Sequence, residues 1–108
     1  MHAMGMPIAL HPNVAFDQVV AKHPKGYEVI LVKIGDDIRG WRNRCPHVGV
    51  PLDWGDGRCL SGDNELQCAM HGALFRADDG YCFAGPCAGK SLESVPVRIA
   101  GDVIVTDA

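Results

Sequence analysis

Four residues stand at spacings that suit a metal. Cys45-Pro46-His47 reads C-x-H, and Cys68-Ala69-Met70-His71 reads C-x-x-H. Twenty residues separate His47 from Cys68, and strands between them could bring the two boxes face to face. Two thiolates and two imidazoles then converge. Zinc accepts that set in a tetrahedron. A two-iron, two-sulfide cluster also accepts it, with both Cys on one iron and both His on the other. Spacing separates the two. Zinc sites usually group like ligands as C-x₂₋₄-C and H-x₃₋₅-H, whereas each box here mixes one Cys with one His. A dinuclear cluster needs each loop to give one ligand to each iron, and mixed boxes do that. Zinc stays open as the alternative on the residues alone.

The wider composition agrees with a chain that needs something besides its core. The 108 residues carry 13 Gly and 7 Pro, with only 3 Phe, 2 Trp and 2 Tyr. Such a loop-rich chain of 11.6 kDa reads as one domain over residues 1–108 with a modest core, residues 1–7 being a loosely held end. A net charge of −3 gives no nucleic-acid footprint. No stretch approaches the ~20 apolar residues of a membrane span, and residues 1–6 lack the features of a signal peptide. The expected location is cytoplasmic. Five cysteines without an export signal argue against a disulfide framework. Cys59, Cys82 and Cys87 have no histidine at ligand spacing and read as small buried hydrophobes. Cys82 and Cys87 also flank a Gly-Pro turn and could bridge under oxidation. His2, His11 and His23 read as surface histidines.

Short strands must position the boxes. Tyr27 to Ile34 is β-branched, apolar on both faces and bounded by glycines, so it reads as a buried strand. Ile38 to Arg44 follows and runs into Cys45. Further strands are expected at Ile8 to Leu10, Arg58 to Leu60, Glu65 to Gln67, Leu74 to Arg76 and Tyr81 to Phe83. Asp79-Gly80 is a hairpin signal, and Val95 to Ile99 with Val103 to Thr106 close the chain around a Gly101-Asp102 turn. Phe16, Val19 and Val20 sit at helical spacing, which predicts one or two helical turns between Asn13 and Lys22. The fold class is all-β, a barrel or sandwich.

C-P-H-V-G-V-P-L (Cys45 to Leu52), C-A-M-H-G (Cys68 to Gly72) and G-P-C-A-G (Gly85 to Gly89) closely resemble the Rieske-type ferredoxin family, over roughly residues 27–107. The resemblance implies an antiparallel β-sandwich with a small two-loop cluster-binding subdomain. It implies one [2Fe–2S] cluster held by Cys45, His47, Cys68 and His71. Gly72 would let its loop close over the cluster, and Pro86 would lie in a third, covering loop. Ala69 and Met70 depart from the family's usual Pro-Trp, which alters packing and touches no ligand. Replacing two thiolates by neutral imidazoles takes the oxidised cluster's formal charge from −2 to 0, which eases reduction. The potential therefore lies between about −150 and +300 mV rather than near −400 mV. High-potential members have a loop-to-loop disulfide and two hydroxyl donors. Here Val50 and Met70 occupy the first positions, and Ala73 and Phe75 the second, so the low end is expected.

The resemblance further implies a soluble one-electron carrier and not an enzyme in itself. Its transient partners would be a flavin-containing, NAD(P)H-dependent reductase and a terminal oxygenase. The 108 residues leave no room for an oxygenase's mononuclear iron domain, and the oligomeric state is not legible. Docking is expected at a tip where Val48, Val50, Pro51, Leu52 and Met70 ring His47 and His71. The alternative is a small subunit of a larger oxidoreductase, such as assimilatory nitrite reductase.

Overall fold

The computed structural model describes residues 6–10, 18–35, 37–46, 49, 51–53, 65–68, 72–101 and 103–106. Among these residues every regular element is a strand: β1 (Met6–Leu10), β2 (Gln18–Lys22), β3 (Glu28–Ile34), β4 (Asp37–Arg42), β5 (Glu65–Gln67), β6 (Leu74–Arg76), β7 (Cys82–Ala84), β8 (Val97–Ala100) and β9 (Val103–Thr106). They form three antiparallel sheets, ordered β1-β9-β8, β2-β3-β4 and β5-β6-β7.

Strand β3 explains the stacking. Its Val29, Ile30, Leu31 and Val32 are all buried. Successive side chains of a strand point to opposite faces. Ile30 and Val32 accordingly join a cluster with Trp41, Cys45, Leu52, Leu66, Cys68, Phe75 and Cys87. Val29 and Leu31 join a second cluster with Ile38, Val95 and Ile104. The middle sheet thus separates two cores, and the sandwich expected from the sequence is present. Burying each large aliphatic side chain is worth about 1.5–3 kcal/mol.

Close backbone contacts lock the layers together. Gly40 on β4 accepts the Val95 N–H at 2.9 Å. A Cβ at Gly40 would stand 2.7 Å from the Val95 carbonyl oxygen, so the approach requires glycine. One residue on, the Trp41 indole N–H donates to the Ala77 carbonyl at 2.8 Å, tying β4 to the turn after β6.

Two sequence expectations change. Residues 18–22 are a strand, because Val19, Val20 and Ala21 pair with Leu31, Ile30 and Val29. Spacing over so short a run cannot reveal a partner ten residues away. Met6 and Pro7, expected within a loosely held end, instead pair with Thr106 and Val105. The expected strand at 58–60 lies outside the described residues. Gly101 has the positive φ, 64°, that a primed hairpin turn needs.

Candidate metal centre

The site begins with the alternation of the chain leaving β4. Trp41, Asn43 and Cys45 are buried, while Arg42 and Arg44 between them face outward. Cys45 is 0% exposed, and its carbonyl accepts the Gly49 N–H at 2.7 Å. The second box repeats this closure. Cys68, also 0% exposed, follows β5, and its carbonyl accepts the Gly72 N–H at 2.8 Å. Gly49 and Gly72 have φ of 79° and 69°, the left-handed region that glycine enters freely. Each box is therefore a turn from a buried Cys to a glycine four residues later. The Cys68 N–H donates to the Ala73 carbonyl at 2.9 Å, seating the second turn on the β5–β6 hairpin.

Cys45 and Cys68 sit in the same apolar cluster, and neither forms a disulfide. His47 and His71, the other two expected ligands, lie outside the described residues, as do Cys59, Val48, Val50 and Met70. The described part of the donor set fits an iron–sulfur centre. A thiolate buried among Leu52, Leu66 and Phe75 is strongly disfavoured unless a cation compensates its charge, and ferric iron does so. Ala73 and Phe75, both fully buried, bring no hydroxyl to this environment.

Asn43, which carried no motif in the sequence, anchors the first loop. Its Oδ1 accepts the Leu52 N–H at 2.7 Å. Its Nδ2 donates to Asp53 Oδ1 at 2.8 Å and Glu28 Oε1 at 3.1 Å. The alternation of buried Trp41 and Cys45 was the signal that could have placed it inward. This anchor corrects the expected docking ring. Leu52 is 0% exposed and belongs to the core, because the bond to Asn43 draws its backbone inward. Pro51 remains exposed. The Arg44 guanidinium lies against Gly49, where a Cβ would meet Nε at 3.3 Å. Arg42 lies 4.4 Å over the Tyr27 ring and pairs with Glu93.

The third loop rests on the residue that follows the second box. A Cβ on Gly85 would fall 2.6 Å from Ala73 Cα, so the loop backbone rests directly on the residue after Gly72. Pro86 is exposed on its outer side. Inside, the Cys87 thiol donates to Cys82 Sγ at 3.3 Å, and the Cys82 thiol donates to the Ala84 carbonyl at 3.2 Å. Burial first, then contact with Cys82 and Cys45, pushes the Cys87 thiol up to about 12. Both fulfil the expectation of buried, apolar cysteines. His23 does not fulfil its own: it is 1% exposed, stacked on Tyr27 at 4.4 Å, with Nδ1 accepting the Lys25 N–H.

Comparison with known proteins accords with this architecture. The ferredoxin of carbazole 1,9a-dioxygenase from Nocardioides aromaticivorans superposes with a TM-score of 0.74 at 22% identity, covering 96% of this chain and 97% of that one. The plasma membrane Rieske protein PetC3 from Synechocystis gives 0.73 at 22% identity, covering 95% of this chain and 99% of that one. At such identities these likenesses show the fold. Oxidoreductase NdmD of Pseudomonas putida is 32% identical over 68 residues, which is 56% of this chain and 11% of that protein. This chain thus spans about a tenth of that relative. The Rieske [2Fe-2S] domain family matches residues 6–99, a span that contains both glycine-closed turns and the loop resting on Ala73. The chain belongs to the Rieske [2Fe-2S] domain family, whose cofactor is a Rieske-type [2Fe–2S] cluster.

Proposed function

We propose that this chain is a one-electron carrier whose cluster is held by Cys45 and Cys68 on one iron and His47 and His71 on the other. The cluster, when bound, supplies reversible one-electron exchange. The chain's own residues set how that exchange proceeds. Leu52, Leu66 and Phe75 keep water from the two sulfur ligands, while Asn43 holds the first loop to the body of the fold. Ala73 and Phe75 offer no hydroxyl to stabilise added electron density, which places the potential near the low end, about −150 mV.

The observation that carries this reading is the matched pair of turns, each joining a buried cysteine to a left-handed glycine within one family domain. A flavin-containing, NAD(P)H-dependent reductase would supply electrons, and a terminal oxygenase would accept them. The dioxygenase ferredoxin supports that role, because chain and fold match along nearly the whole length of both. Action in the cytoplasm accords with this reading, and no described helix is long and apolar enough to cross a membrane. The partial match within the much longer oxidoreductase favours a second reading, a subunit or module of a larger redox enzyme.

A voltammetric titration of the purified protein over several pH values tests the proposal. One-electron behaviour near the low end, with a potential that falls only in the alkaline region, is the expected result. A wave several hundred millivolts higher would refute the account of Ala73 and Phe75. Absence of a wave in iron-replete protein would refute the carrier. Stable co-elution with an oxidoreductase from the native host would favour the second reading.

A further inference from the structure

Two sulfurs outside the ligand boxes stand in contact. Cys82 ends up facing Cys87 with Sγ atoms 3.3 Å apart. A disulfide bond is about 2.05 Å long, so about 1.2 Å of approach remains. The backbone has already brought the two residues together. Cys82 donates its N–H to the Lys90 carbonyl at 2.8 Å and accepts the Gly89 N–H at 3.0 Å. Lys90 in turn donates to the Cys87 carbonyl at 2.9 Å. Gly85 and Gly89, with φ of 98° and 94°, provide the two sharp turns of this closed loop. Most of the entropy a bridge would remove is therefore already lost on folding.

We propose that Cys82 and Cys87 form a disulfide in the folded protein when it meets a small-molecule disulfide oxidant, giving the chain a two-electron thiol site beside the candidate cluster loops. The reaction is a double exchange. One protein sulfur attacks the oxidant's S–S bond and releases one thiol. The other protein sulfur then displaces the second. Two protein S–H bonds and one oxidant S–S bond are lost. One protein S–S bond and two oxidant S–H bonds form, so two electrons pass to the oxidant. Both sulfurs are at most 1% exposed, so the oxidant reaches them only when the covering loop lifts, and the exchange is slow. Once formed, the bridge ties the start of β7 to the loop resting on Ala73. The inference does not depend on the carrier reading, because it concerns sulfur connectivity alone.

The sequence makes the test direct. Cleavage after Arg44, Arg58, Arg76 and Lys90 puts Cys45 on peptide 45–58, Cys59 and Cys68 on 59–76, and Cys82 with Cys87 on 77–90. Protein with its cluster in place is equilibrated across mixtures of oxidised and reduced glutathione, alkylated under denaturing conditions, digested and weighed. The expected product is peptide 77–90 lighter by two hydrogen atoms and carrying no alkyl group, with the visible cluster spectrum unchanged. Half-oxidation should require about tenfold less oxidising buffer than the isolated 77–90 peptide, because folding holds the sulfurs together. Two alkyl groups on 77–90 at ratios that oxidise the free peptide would overturn the proposal. So would a cross-link between 45–58 and 77–90, or bleaching of the cluster in step with bridge formation.

Discussion

Replacing Asn43 by leucine should open the first ligand loop while leaving the sheets intact. The side chain makes three hydrogen bonds, to the Leu52 N–H, Asp53 and Glu28. Leucine has similar bulk and makes none of them. The Leu52 amide then stays buried without a partner, at about 1–3 kcal/mol. The two carboxylates lie nearer to water and recover part of their loss by hydration, so their share is about 1 kcal/mol together. A total near 3 kcal/mol corresponds to roughly a hundredfold rise in the loop's opening equilibrium, at about 1.4 kcal/mol per decade. Amide hydrogen exchange at Leu52 reads that equilibrium directly, while exchange in β3 should change little. An Asn43→Leu variant with wild-type protection at Leu52 would refute the assignment of Asn43 as the anchor. Asn43→Asp sharpens the test. It keeps the acceptor for Leu52 but sets a third carboxylate against Glu28 and Asp53, so its defect should shrink as pH falls and a carboxyl proton becomes available to donate.

Gly85→Ala should accelerate cluster loss strongly, because its Cβ would collide with Ala73 Cα at 2.6 Å; Gly89→Ala, with nothing within 4 Å, carries only backbone strain. Equal rates of bleaching in urea for the two variants would contradict the loop's seating on Ala73 beside the second box. Leu52→Asp should fail to fold or lose its cluster, since an unpaired carboxylate at a 0% exposed site destabilises by several kcal/mol, ~3 or more. A stable, fully loaded Leu52→Asp protein would restore Leu52 to the docking surface. Asp79 has its carboxyl held below the ordinary aspartate value of 3.8, chiefly by the Tyr81 N–H and then by Arg76. The unfolded chain therefore binds that proton more tightly than the folded one. The turn's stabilisation is present above 3.8 and lost as pH falls through the lowered folded value. Acid unfolding of Asp79→Ala should show a shallower limb in that window, and an unchanged limb would argue against the bond.

The parts of the fold written in local pattern were legible. Tyr27 to Ile34 announced a strand buried on both faces, and β3 is that strand. Of the four residues in the paired boxes, the described Cys45 and Cys68 lie in one apolar cluster. What local pattern could not carry was anything decided by a distant partner. Val19 and Val20 fit a helix by spacing, and only Leu31 and Ile30 make them a strand. Leu52 looked like part of an apolar tip until Asn43 drew it inside. His23 looked like a surface residue, yet its ring stacks on Tyr27 across a tight turn. A polar residue is read as exposed unless its partners are known, and those partners are not neighbours in sequence.

The two-faced burial of β3 has a consequence for fidelity of assembly. A strand with one wet side is told its alignment by polarity, since a one-residue slip would expose its apolar set. Val29, Ile30, Leu31 and Val32 offer no such instruction, because either alignment presents aliphatic carbon to both cores. The instruction must come from the strand's neighbours. It is given by the Asn43 N–H on the Glu28 carbonyl at 2.9 Å, by the Asn43 amide on the Glu28 side chain, and by Trp41 reaching Ala77. Position 43 thus acts as a detent, chiefly through a backbone bond that any residue except proline can make there. A slip of β4 by one residue would break that bond and carry Cys45 away from Cys68.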